Sequence, residues 1–245
     1  RLQRCYQRAR PKALLAENAL FTSYQESPKY LDSTSSYSNN ETPWTYAVYE
    51  PPLKYHYLKR PYELETRTLT QMPSVKYLSQ DGRELSAQSP ADQIAESVFE
   101  LKIQPGIMYQ PHPAFAKTAD GQHRYLALKD SEIEGKRRPY DFEHMGTREP
   151  LAEDYAYAIK RLATPRVKSP SFGFLSEKIV GLADYGKHIK KVNEQLKQGK
   201  SAREVGPLGH LPWLDFREHA LSGVEVVDVH TLKIRVVGKY PQFKY

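Results

Sequence analysis

The residues best suited to nucleophilic or metal chemistry are the single cysteine and the eight histidines of this chain. Cys5 lies in a basic amino-terminal stretch, whereas a cysteine nucleophile needs a positioned base within a folded site. No histidine stands near a cysteine or another histidine at the sequence spacing of metal ligands; the eight are His56, His112, His123, His144, His188, His210, His219 and His230. We therefore expect structural or surface histidines and no metal site.

The sequence also lacks the motifs of the common catalytic folds. It contains no Gly-rich loop that would cradle phosphate and no Gly-x-Ser-x-Gly nucleophile elbow. We therefore expect a protein that is not an enzyme and that uses no cofactor, although catalytic residues can lie far apart in a sequence.

Composition and charge leave several classes of protein open. The chain has 245 residues, of which 39% are hydrophobic and 27% charged, as in an ordinary globular protein. Its net charge of +7 is compatible with a nucleic-acid-binding module, but lysine and arginine are interspersed with acidic residues. Residues 1–17 contain the densest basic run and are interpreted as a solvated tail. No apolar run reaches the roughly 18 residues that span a bilayer.

Three segments have the periodicity and the ends of helices. The first starts at Thr42 and Pro43 and ends before Pro51, because Pro suits the first helical position. The second spans residues 150–163, with acidic residues in its first turn and basic residues in its last, as the helix dipole favours. The third runs over residues 176–198, and Gly199 can end it.

The strand predictions rest on alternation of apolar and polar residues. Residues 95–103 give the clearest strand, and residues 224–229 and 231–237 are predicted to form a hairpin that turns at residues 228–231. Shorter strands are predicted at residues 19–22, 107–109 and 125–128, with loops at 27–40 and 55–64 and an irregular insertion near 110–148. Helices and strands without a βαβ cadence indicate a mixed α/β lobe.

Four stretches, in this order, resemble the family 5 extracellular solute-binding proteins. Residues 30–53 have a Leu-Asp step, a Ser/Asn-rich loop and a helix ending in Tyr-Glu, with Ser33 where the family usually has Pro. Residues 94–109 match its Ala-Glu-Ser step, strand and turn. Residues 148–162 are the most specific, because Ala-Glu-Asp-Tyr-Ala-Tyr followed by Lys-Arg-Leu is close to the family's signature. Residues 223–243 contain its Gly-Val, Asp and Thr hairpin and a Pro-x-Phe step.

The resemblance implies a mixed-sheet lobe of a type II periplasmic-binding-protein-like fold. Residues 18–245 would form the amino-terminal part of the first lobe, and the second lobe would lie outside this chain. The function implied is the solute-binding component of an ABC importer, which binds short peptides between two lobes and delivers them to permease and ATPase subunits. The protein would be a monomer, periplasmic or anchored at the cell surface.

The ligand and the binding residues also follow from the resemblance alone. Family members bind oligopeptides, dipeptides, nickel or sugars, and residues 163–175 have the Pro and Ser-Pro spacing of the oligopeptide-binding branch. Tyr37, Ser38 and Asn39 fall where that branch presents groups to a peptide, although an ordinary surface loop is the alternative interpretation. A basic nucleic-acid-binding module and a structural or interaction fragment of a larger assembly remain the alternative functions.

Overall fold

A computed structural model describes residues 26–126, 128–199 and 214–245 of the chain. The predicted tail at residues 1–17 and the predicted strand at 19–22 lie outside the described residues. Within them, the helices are α1 (Thr42–Val48), α2 (Asp130–Ile133), α3 (Ala152–Leu162), α4 (Phe172–Lys178) and α5 (Leu182–Lys197). The strands are β1 (Leu53–Tyr55), β2 (Leu64–Thr66), β3 (Ser74–Leu78), β4 (Glu84–Leu85), β5 (Glu96–Lys102), β6 (Val224–Asp228) and β7 (Thr231–Val237).

The main sheet has five strands in the order β4-β3-β5-β7-β6, and every neighbouring pair is antiparallel. Its longest pairing joins β5 to β7, from Glu96 opposite Val237 to Lys102 opposite Thr231. The predicted strand at 95–103 and the predicted hairpin at 224–237 are confirmed. The expected mixture of helices and strands is present, but the expectation of a mixed sheet is wrong. The connections from β3 to β4 and from β6 to β7 are five and two residues long, too short for the crossover of a dozen or more residues that parallel pairing needs.

One face of this sheet carries the core and the other carries ion pairs. Phe99 on β5 and Leu232, Ile234 and Val236 on β7 are buried with residues of α3 and α5. The intervening residues of β7 face the other side, where Arg235 binds the carboxylate of Glu96. This alternation follows from the two-residue period of a strand.

The predicted helix at 176–198 is two helices in the structure. Gly181 has a φ of +75° and separates α4 from α5. Val180 N donates to Arg235 O at 3.0 Å, and Ile179 forms a β-bridge with Val236. The single-helix prediction was wrong because the backbone of residues 179–180 hydrogen-bonds to β7, and a helix would use the same groups internally.

Three local predictions need correction. Residues 107–109 are not a strand, since Tyr109 N donates instead to Arg148 O at 2.9 Å. Tyr125 and Leu126 lie in a turn rather than a strand. Residues 56–63 form the predicted loop, but strands β1 and β2 flank it as a hairpin. The described part of residues 110–148 holds short helical segments and two isolated β-bridges, His112 with Gly146 and Lys117 with His123. Strands β3 and β4 were not predicted.

Candidate functional site

The loop before α1 is organised around the buried carboxylate of Glu41, which is 2% exposed. Four backbone N–H groups donate to it. Lys29 N and Tyr30 N lie 3.1 and 3.0 Å from Oε1. Tyr37 N and Ser38 N lie 3.1 and 3.3 Å from Oε2. One side chain therefore fixes the conformation of the whole loop from residue 29 to residue 38.

These hydrogen bonds decide the ionisation of Glu41. Burial alone would raise the pKa of this carboxyl group, because water solvates a charge better than protein does. Donation from the backbone of Ser38, Tyr37 and Tyr30 and from the Ser36 side chain outweighs burial and lowers the pKa to about 2. Glu41 is therefore charged at neutral pH.

The same loop is joined to the end of α3 by an ion pair. Arg161 Nη1 lies 3.3 Å from Asp32 Oδ1, and Nη2 contacts Oδ2. Asp32 Oδ1 also accepts from Thr34 N and Thr34 Oγ1, at 3.0 and 2.7 Å. Burial opposes the charge of Asp32, but hydrogen bonds from Arg161 and Thr34 prevail and its pKa is lowered. Ser35 Oγ adds a bond of 3.0 Å to Val167 O.

The three candidate ligand residues lie on the outer side of this loop. The backbone of Ser38 is fully used, because its N–H donates to Glu41 and its carbonyl accepts from the backbone N–H groups of Glu41 and Thr42 at 3.0 and 3.1 Å. The side chains of Tyr37, Ser38 and Asn39 are exposed, and that of Tyr37 is 77% exposed. A ligand would therefore meet side chains here rather than free backbone donors.

A groove of about 270 Å³ runs beside the loop, and its lining includes Lys29, Tyr30, Tyr37, Ser38 and Pro170. It is smaller than the pockets of about 300–1,000 Å³ that enclose small ligands. Tyr37 and Ser38 line it, whereas Asn39 does not and Asn40 does. The amine, phenol and hydroxyl groups around it can hydrogen-bond to a polar ligand that a second surface would have to cover.

Helix α3 connects this loop to the rest of the unit. Arg148 binds both carboxylate oxygens of Asp154 at 2.6 Å, and Asp154 accepts from Leu151 N at 2.8 Å, which caps the helix. The Arg148 guanidinium also lies 5.2 Å from the ring centres of Tyr109 and Phe115. Asp154 therefore has a structural role.

The hairpin of β6 and β7 lies directly against α3. Ala152 N donates to Val229 O at 2.9 Å, and Glu149 Oε2 lies 3.2 Å from His230 Nε2. The pairing of β5 with β7 joins residues 94–109 to residues 223–243, and the Asp32–Arg161 pair joins residues 30–53 to residues 148–162. With the contact between α3 and the hairpin, all four stretches that carry the family resemblance lie in one packed unit.

Sequence reasoning missed two features of the structure. The first is Glu41, which precedes the helix start at Thr42 but makes no capping hydrogen bond to α1 through its side chain. Its carboxylate accepts instead from residues 29, 30, 37 and 38, and no local pattern in the sequence indicates those contacts. The second is a pair of imidazoles: His188 Nε2 lies 3.0 Å from His219 Nδ1. No local pattern in the sequence predicts this pair, because the two residues are 31 positions apart.

The described residues hold neither a three-ligand metal cluster nor a helix that could cross a membrane. No three His, Cys, Asp or Glu side chains in residues 26–126, 128–199 and 214–245 are grouped so that they could hold a metal ion. In the same ranges, no helix has both the length and the apolar character required to cross a membrane.

Comparison with solved structures gives a weak likeness. No protein-family model and no curated protein sequence matches the chain. Among solved structures, the chain is similar to "Listeria monocytogenes OppA bound to peptide", with 16% identity and a TM-score of 0.37. The match covers 88% of this chain and 26% of the Listeria monocytogenes chain, so this chain spans about a quarter of that protein's length. A likeness of this size supports no conclusion about function.

Proposed function

We propose that this chain is part of the extracytoplasmic solute-binding component of an ABC importer, which binds short peptides and delivers them to a membrane permease. The observation that carries the proposal is the ion pair of Asp32 and Arg161. It joins the first stretch of the family resemblance to the third, and the loop that it anchors presents Tyr37 and Ser38 beside a groove. Function in the periplasm or at the cell surface is part of this proposal.

The proposed mechanism is closure of two lobes around the peptide. This chain supplies one wall of the site, and a second lobe covers the peptide from the other side. On this wall the exposed side chains of Tyr37 and Ser38, together with ordered water, would contact the peptide and accommodate varied sequences. Pairing of the peptide backbone as an added strand would fall to groups outside this loop. Because the groove beside the loop is small and lies on one unit only, the isolated chain binds peptides poorly.

Isothermal titration of the full-length protein tests the proposal. We expect binding to a varied pool of short peptides and none to sugars or metal chelates. The same pool should give no submicromolar affinity for the isolated 245 residues. Binding to a sugar or a metal chelate, with no binding to any peptide, would contradict the proposal.

The charges of the described residues do not favour the alternative of a nucleic-acid-binding module. Such modules gather lysine and arginine on one continuous face. Here cations pair with carboxylates on separate elements, as in Lys54–Glu65 on the β1–β2 hairpin, Lys76–Glu84 on the sheet and Lys187–Asp184 on α5.

A further inference from the structure

Two imidazole rings meet at the surface where α5 passes the segment that leads to β6. His188 lies on the exposed side of α5, and His219 follows the short 3₁₀ helix Phe216–Glu218. His188 Nε2 and His219 Nδ1 are 3.0 Å apart, the ring centres are 5.0 Å apart and the ring planes form an angle of 63°. Both nitrogens are atoms that bind metals when they are unprotonated.

The backbone beneath both rings is held in place by buried side chains. On α5, Tyr185 and Ile189 flank His188 in sequence and are buried. Before His219, Phe216 is buried, and Asp215 Oδ1 accepts from Arg217 N at 2.9 Å. A metal that binds both rings would therefore need to reorient only the two side chains, since the backbone that carries them is already ordered. Such preorganisation favours affinity.

The two nitrogens are close enough for one metal ion to bind both. Their separation of 3.0 Å is that of the hydrogen bond in the metal-free pair, so both rings must rotate until their lone pairs meet at one point about 2.0–2.1 Å from each nitrogen. The choice of ion therefore rests on affinity, because copper(II) binds nitrogen ligands most strongly of the divalent first-row metals.

We propose that His188 and His219 form a surface site for a divalent copper ion, with water completing its coordination. In the metal-free pair, an N–H of one ring donates to the unprotonated nitrogen of the other. Binding requires that this proton move to the other nitrogen of the donor ring, so that both facing nitrogens offer lone pairs. The neutral pair then binds the cation without net release of a proton.

Charges of both signs lie beside the site, with Lys187 and Lys191 on α5 and Arg217 and Glu218 before His219. Lys187 precedes His188 in the chain, and its amine is bound to the Asp184 carboxylate at 2.7 Å. Glu218 precedes His219 and supplies a negative charge on the second element. The described residues supply no third protein ligand, so the site is open to solvent and to exchange.

The test is a titration of the 245-residue chain with copper(II) chloride, followed by calorimetry and electron paramagnetic resonance. All samples carry Cys5→Ser, which removes a thiol that copper would oxidise. We expect one equivalent of copper with hyperfine coupling to two imidazole nitrogens. His188→Gln and His219→Gln should each weaken binding at least about 10-fold, because a single ring cannot chelate. His123→Gln, which removes an exposed imidazole elsewhere, is the matched control and should bind as the parent does.

Two results would overturn the proposal. One is unchanged affinity and an unchanged two-nitrogen spectrum in His188→Gln or His219→Gln. The other is copper binding by the parent that is no tighter than binding by the variant lacking both rings. Circular dichroism of each variant keeps loss of folding separate from loss of a ligand. Peptide binding plays no part in this experiment, so its outcome is independent of the transport proposal.

Discussion

Asp32 and Arg161 are 129 positions apart in the chain, yet the Arg161 guanidinium binds both carboxylate oxygens of Asp32. The contact joins the loop that carries Tyr37 and Ser38 to the last turn of α3. Both side chains are only about one-third exposed, so solvent screens the pair less than it screens an ordinary surface pair.

The strength of this ion pair can be measured with a double-mutant cycle of Asp32→Asn and Arg161→Gln. We expect a coupling free energy of about 1 kcal/mol, because the hydrogen bonds are charge-assisted and two-pronged. Urea unfolding of the four proteins gives the value. The matched control is Lys76–Glu84, a well-exposed pair for which we expect about 0.5 kcal/mol or less. Equal coupling in the two cycles would show that Asp32–Arg161 is an ordinary surface pair.

Ionisation of Glu41 should make the free energy of unfolding depend on pH in the acidic range. Its pKa is lowered to about 2 in the folded protein and returns to its ordinary value of 4.5 on unfolding. A lowered folded-state pKa contributes stability that is complete above the unfolded pKa, and this contribution is lost as the pH falls from about 4.5 to about 2. Glu41→Gln should therefore have a lower free energy of unfolding than the parent at pH 7. One carboxylate oxygen becomes an NH₂ group, which cannot accept the hydrogen bonds that the backbone N–H groups donate to Glu41.

The difference in free energy of unfolding between Glu41→Gln and the parent should shrink as the pH falls from about 4.5 to about 2. Urea unfolding at pH 7, 4 and 2.5 measures this difference. Asp184→Asn is the control, since Asp184 is exposed and bonded only to Lys187. A gap between Glu41→Gln and the parent that stays constant with pH would contradict the role assigned to the carboxylate.

Arg148 should not be replaceable by lysine. Its guanidinium binds both oxygens of Asp154 and also lies over Tyr109 and Phe115, and a lysine amine can reproduce neither the fork nor the stacking. We expect Arg148→Lys to lower the free energy of unfolding by about 1 kcal/mol and Asp154→Asn, which also weakens the helix cap, by about 1–2 kcal/mol. Chemical denaturation checks both values. An Arg148→Lys variant as stable as the parent would mean that charge alone matters here.

Gly181 should tolerate alanine less well than a glycine in an open turn. Both Gly181 and Gly82 have positive φ values, +75° and +79°, so alanine strains the backbone at either position. At Gly181, the new Cβ would also lie 2.2 Å from the Ser222 side-chain oxygen, whereas nothing lies within 4 Å at Gly82. We expect about 1 kcal/mol of destabilisation for Gly82→Ala and a larger loss, up to about 2 kcal/mol, for Gly181→Ala, where the Ser222 hydroxyl must rotate away from the new Cβ. Thermal and urea unfolding compare the two, and equal losses would argue against the close approach to Ser222.

Tyr37 offers the most direct test of the proposed ligand surface. Tyr37→Ala should lower the peptide affinity of the full-length protein about 10-fold, because an exposed ring that becomes covered on binding supplies much of the contact area. Its stability should be unchanged, since the loop is held through backbone N–H groups. Tyr57→Ala, which removes a similarly exposed ring from the β1–β2 hairpin, should leave affinity unchanged. Calorimetry that finds the same affinity in both variants removes Tyr37 from the proposed site.

Short-range signals in the sequence were enough for several elements of the fold. The acidic first turn and basic last turn of α3 marked its ends, and the alternation along β5 and β7 gave both strands and their buried faces. The break at Gly181 escaped the same reasoning, because the apolar stripe of α5 continues through Ile179 while the backbone of Ile179 and Val180 pairs with β7.

Local patterns were enough to predict α3, β5, the β6–β7 hairpin and the position of the loop with Tyr37, Ser38 and Asn39. Helix ends and strand alternation each depend on about a dozen neighbouring residues. Three contacts became visible only in the folded chain: Glu41 with four backbone donors, Asp32 with Arg161, and His188 with His219. Those contacts depend on how the chain brings separate elements together, and no local spacing encodes such a distance.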